Sequence, residues 1–144
     1  MFNQLPEDRL SSWAEHRAHL EESQDPLMDT FDFWRVAPYI PYNNKIDPYN
    51  QRNWPTPWEI IVHNKYDDFT RALMMAYSIK YTQRFADCLV EVRTLVDNAR
   101  NSCYNIVCVD GEWAINYNDI GVVHMDEIPE TFLVENLIEV SHRR

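Results

Sequence analysis

Residues 67–82 read DDFTRALMMAYSIKYT and residues 104–117 read YNIVCVDGEWAINY, and these two stretches decide the fold class. In the first, Phe69, Ala72, Leu73 and Ala76 recur at the i, i+3, i+4, i+7 spacing of one helical face. Met74, Met75, Tyr77 and Ile79 carry the apolar surface round most of the circumference, which predicts a central, buried helix over about 67–82. Asp67 and Asp68 open it, where carboxylates favour the positive end of the helix dipole. In the second stretch two β-prone runs flank Asp110-Gly111, the pattern of a two-residue hairpin turn. Such a turn sets Val109 opposite Glu112, Cys108 opposite Trp113, Ile106 opposite Ile115 and Tyr104 opposite Tyr117. Tyr104, Ile106, Cys108, Trp113, Ile115 and Tyr117 then share one face, which is expected to pack on the central helix. With a further Leu- and Val-rich strand over 89–96, the expectation is an α+β fold in which a buried helix lies on a small antiparallel sheet.

Upstream, residues 6–22 follow a helical pattern with Leu10, Trp13, Ala14 and the stem of Arg17 on one face and charges elsewhere. A second helix starts at Pro26 with Asp25 as its cap, and Leu27, Phe31 and Trp34 form its apolar stripe. Residues 37–57, APYIPYNNKIDPYNQRNWPTP, hold five prolines and four asparagines and exclude regular structure, yet their aromatic content predicts an ordered belt over the core. A short helix over 57–62 has Thr56 as its cap. The tail, 128–140, fits either a turn plus a strand or a helix. The chain is thus one domain over 1–144: a helical part to residue 37, the belt over 38–57, and a helix-plus-sheet core over 58–144.

Composition narrows the function. Twenty-three acidic residues against 13 basic ones give a net charge of −10, which speaks against direct nucleic-acid binding because that rests on neutralising phosphates. Gly111 and Gly121 are the only glycines, so glycine-rich phosphate loops are absent. No apolar run approaches a membrane span, no signal pattern opens the chain, and three cysteines without CxxC spacing read as reduced thiols of a cytoplasmic-type compartment.

The segment Trp54-Pro55-Thr56-Pro57-Trp58-Glu59-Ile60-Ile61 resembles the W-x-T-P-x-E-x-L element of bacterial transglutaminase-like cysteine peptidases. Asn64-Lys65-Tyr66-Asp67-Asp68-Phe69-Thr70 stands at nearly the offset of that family's G-D-C-E-D-[YF]-A motif. Residues 104–109 and 113–118 correspond to its strand beginning H-A-V-L-A-V and its strand ending L-D-N. The resemblance covers about residues 54–118 and implies a papain/transglutaminase-like fold. It also implies a cysteine activated at the N-terminus of the central helix, a histidine on one strand and an aspartate on the next. This sequence has Tyr66, Tyr104 and Tyr117 at those three places, so the expectation is a non-catalytic domain that works through protein contacts, with no cofactor and no metal. The candidate binding pocket is Trp54, Trp58, His63, Tyr66, Asp67, Tyr104 and Tyr117. The small, acidic, aromatic-rich style also resembles proteins of tailed phages, which would place it in a host cytoplasm or a virion.

Other readings stay open. The tyrosines form either a remodelled pocket or a filled groove. Cys103, with His63 or His124 as base, would make a rearranged cysteine hydrolase, whereas Cys108 reads as a buried apolar residue. His16 and His19 lie one turn apart, a spacing that can ligate metal, without further ligands nearby. Asp67 and Asp68 read as catalytic carboxylates or as helix-start acids. The belt aromatics Tyr39, Tyr42, Tyr49, Trp54 and Trp58 either meet a partner or cover the chain's own core. An acidic inhibitor of a nucleic-acid-binding protein is the remaining alternative.

Overall fold

A computed structural model describes residues 1–141. Four α-helices, α1 (Pro6–Glu22), α2 (Pro26–Trp34), α3 (Pro57–His63) and α4 (Asp68–Lys80), precede five strands. The strands are β1 (Val90–Asp97), β2 (Ser102–Val109), β3 (Trp113–Ile115), β4 (Val122–His124) and β5 (Leu133–Glu139). The fold is α+β, and its antiparallel sheet has the order β4-β3-β2-β1-β5. Among the described residues no helix is long and apolar enough to cross a membrane.

The near-continuous apolar surface of α4 is matched by its burial: every residue from Phe69 to Ile79 except Arg71 is inside. The helix lies against β1 and β2, and its core continues into Val90, Val92, Val107, Val109, Ile115 and Ile138 of the sheet. Asp67 caps it, its Oδ1 accepting the Thr70 N–H at 2.7 Å. Ser78 is the polar exception inside this core. Its hydroxyl donates to Met74 O and accepts from the indole N–H groups of Trp13 (2.8 Å) and Trp34 (2.9 Å), so one side chain joins α1, α2 and α4. Thr56 forms a full capping box with Glu59 at the start of α3.

The hairpin register differs from the sequence expectation. Val109 opposes Trp113, Cys108 opposes Ala114, and Val107 opposes Ile115. The cause lies on the other side of β2. Asp110 is drawn into the ladder with β1, its N–H donating to Leu89 O and its carboxylate accepting the Leu89 N–H, both at 2.7 Å. β2 is thereby paired to its last residue, and Asp110, Gly111 and Glu112 make the connection, Asp110 and Gly111 at φ 52° and 65°. A one-residue slip exchanges the faces of one strand relative to the other. Ile115 therefore lies on the α4 side with Val107 and Val109, while Tyr104, Ile106 and Cys108 face away from the helix. There they pack with Leu95, Ala114, Val123 and Ile128 in a second, smaller cluster. β3 also ends earlier than expected, because Asn116 adopts φ 68° and turns its amide back to Asn105 O at 2.8 Å.

The buried face of α1 is Arg9, Trp13, His16 and Leu20; Trp13 is inside as expected and Leu10 packs against the core, but Ala14 is exposed. Arg9 belongs inside because its guanidinium caps the end of α3, donating to Ile61 O (3.0 Å) and Val62 O (2.8 Å). Asp25 sits at the N-cap position of α2 without a side-chain cap bond. β4 was not foreseen, and the tail resolves as strand β5. At Gly121, where φ is +103°, an added Cβ would stand 2.6 Å from Met28 Sδ, so glycine lets α2 approach the β3–β4 connection.

Candidate functional site

At the N-terminal end of α4 a cleft of about 480 Å³ opens between that helix, the end of α2 and the sheet. Arg35, Asp68, Arg71, Cys103, Tyr104 and Tyr117 line it, with Phe31, Val36 and residues 116–119 completing the wall. A chain of polar side chains runs from its lining residues Arg71 and Asp68 into the sheet. Arg71 Nη2 donates to Asp68 Oδ1 at 3.1 Å, and Asn105 Nδ2 donates to Asp68 Oδ2 at 2.9 Å. Thr94 Oγ1 donates in turn to Asn105 Oδ1 at 2.8 Å. The helix start thus carries a carboxylate held by a guanidinium and an amide, an arrangement that fixes charge and offers no nucleophile.

The same phase that turns Tyr104 away from α4 turns Asn105 toward it, so the strand residue nearest the helix start is the asparagine. Tyr104 and Tyr117 do meet, with ring centroids 5.2 Å apart, and Phe132 stacks on Tyr104 at 5.6 Å. Tyr66 is elsewhere. Its ring packs in the core between Phe2 (5.8 Å) and Trp34 (5.5 Å), its hydroxyl has no partner, and burial raises its pKa. The remaining pocket candidates are dispersed. Trp54 is buried, donating from Nε1 to Asp47 O at 2.5 Å and packing on Phe69. Trp58 packs on Trp13 and Tyr81. Asp67 spends its two oxygens on Thr70 N–H and Asn43 N–H. His63 Nε2 lies 2.5 Å from Lys45 Nζ, in a cavity that shares no lining residue with the cleft.

Cys103 reaches the cleft, but its pKa is raised, first by burial and then by the carboxylates of Glu135 and Asp68. Burial also raises Cys88, and it pushes Cys108 up to about 11. No histidine lines the cleft. His124 stands on β4, two strands away from β2, against Trp113. His16 stacks on Phe33 at 4.0 Å and His19 pairs with Asp29 at 2.9 Å. No group of three or more metal-ligating side chains occurs among the described residues.

Sequence reasoning did not single out Arg35, Arg71, Asn105, Thr94 or Lys45. Two signals were available: the Asp68/Arg71 pair at i, i+3, and a lone asparagine inside an otherwise apolar strand. Comparison with protein-family models, with curated proteins and with solved structures finds no match.

Proposed function

We propose that this chain is a non-catalytic domain of the papain/transglutaminase-like kind that works through protein contacts, as an accessory or virion protein of a phage. The observation that carries this reading is the Arg71–Asp68–Asn105–Thr94 chain at the start of α4. By the resemblance the thiol's place is that of Tyr66, whose ring is packed in the core between Phe2 and Trp34. The carboxylate that follows it, with both oxygens engaged, cannot attack a carbonyl carbon usefully in its stead. Support for protein contacts comes from β5. This is an edge strand of seven residues with Leu133, Val134 and Leu137 about half exposed, and it carries neither proline nor lysine. Edges of that kind are templates for another chain unless they are covered.

The test is chemical cross-linking of the tagged protein in its native host extract. The Cys103→Ala variant is expected to retain every cross-linked partner, and the Val134→Lys/Leu137→Lys double variant to lose at least one. Loss on Cys103→Ala with retention by the double variant would overturn the reading. A second reading, a cysteine hydrolase built on Cys103, draws on the thiol's place in the cleft. It would require a base that enters the cleft from outside the residues lining it.

A further inference from the structure

The belt and His63 contribute to a second cavity that the cleft does not share. Its volume is about 510 Å³, and it is lined by Ile40, Tyr42, Asn43, Asn44, Lys45, His63 and Lys65, with no acidic side chain among them. In a chain of net charge −10, two of the three lysines therefore meet in one cavity. Neither forms an ion pair among the described residues. Lys45 Nζ instead lies against His63 Nε2, at 2.5 Å.

The cavity is built rather than incidental. Asn43 is buried, and its side chain fixes the backbone of both lysines: Oδ1 accepts the Lys45 N–H at 3.1 Å and Nδ2 donates to Lys65 O at 3.2 Å. Its own N–H is held by Asp67 Oδ2 at 3.0 Å, which ties the cavity floor to the cap of α4.

We propose that this cavity binds a phosphoryl group, as the monoester of a small molecule or of a phosphorylated side chain. Two ammonium groups supply two charges and, beyond the N–H that Lys45 turns to His63, up to five N–H donors, and Asn44 lines the same cavity. A tetrahedral dianion with three free oxygens uses more of these donors than a carboxylate does. A nucleic acid fits poorly, because its flanking phosphates would meet the surrounding negative field. The site shares no residue with the cleft, so it stands whether or not the cleft is catalytic.

The experiment follows backbone amide NMR shifts of residues 42–45 and 63–65 during titration with inorganic phosphate, phosphoserine, and a phosphoserine tetrapeptide with its unphosphorylated form. Saturable shifts with all three phosphate probes and none with the plain peptide are expected. Lys45→Ala and Lys65→Ala should each weaken binding roughly tenfold, about 1.4 kcal/mol, while Arg100→Ala, an exposed cation elsewhere, changes nothing. Both lysines are exposed, so their loss leaves the fold intact, which unchanged amide spectra outside the belt verify. Equal affinity for phosphoserine and the peptide assigns a small ester; tighter peptide binding assigns a protein side chain. Shifts that chloride reproduces at matched ionic strength, or that survive loss of both lysines, overturn the proposal.

Discussion

Tyr66 and His16 show how single residues with functional-looking chemistry are absorbed by packing. A buried phenol without a partner forfeits its hydration, so removing the hydroxyl removes a cost and not a contact. Tyr66→Phe is therefore expected to leave the melting temperature unchanged or raise it, and a marked drop would reveal a hydroxyl partner that the fold does not contain. His16 carries a pH prediction. Burial, helped by the positive charges of His19 and Arg17 and opposed by Asp29, pushes its pKa down to about 4 from 6.5. The unfolded chain then binds a proton between those values that the folded chain refuses, so stability is full above pH 6.5 and declines as pH falls to about 4. The loss attributable to this residue approaches about 3 kcal/mol, and His16→Leu should flatten that part of the denaturant-midpoint profile. An unchanged slope in the variant would assign the acid sensitivity elsewhere.

At the level of elements, the helices were legible because their apolar spacing and proline–cap starts act locally. α4 in particular is written in its own residues, as is the Thr56 cap; Asp67, read as a first-turn acid, is the cap itself. The hairpin was less legible, since its register depends on Asp110 bonding to Leu89, twenty-one residues away, and no local signal encodes that. The slip misplaced the face of β2 while Ile115 of β3 lies on the helix side as expected, which is why Asn105 was overlooked and Tyr104 was assigned to the helix side. The burial of Arg9 and His16 was not legible for a related reason: it is justified by partners on α3 and by Phe33, not by their own helix. The hydroxyl linking three helices gives the sharpest element-level prediction. Ser78→Ala leaves two buried indole N–H groups without an acceptor and should cost about 2–4 kcal/mol in chemical denaturation. Restoration by Ser78→Thr, which keeps the acceptor, would separate the hydrogen bonds from side-chain size. If Ser78→Ala is neutral, the three helices are held by apolar packing alone.

Across the whole molecule, the sheet separates two environments. The helix side holds the main core and opens the cleft, and the other side holds the smaller cluster around Ile106 and Cys108. The cleft lies where a helix dipole could polarise a nucleophile, and the sequence fills that place with Asp68 held by Arg71 and Asn105. Asn105→Leu removes a donor from a partly buried carboxylate and is expected to lower stability by about 1–3 kcal/mol in thermal or denaturant unfolding. A neutral result would mean that solvent already satisfies Asp68.

The central claim, that the cleft does not catalyse, is tested most directly by the pH dependence of Cys103 alkylation with iodoacetamide, followed on the Cys103-containing peptide. The account predicts a rate that keeps rising through neutral pH and reaches its midpoint above the ordinary thiol value of 9.0. A rate already at its plateau below pH 7 would show a thiolate stabilised for attack, and would contradict the account.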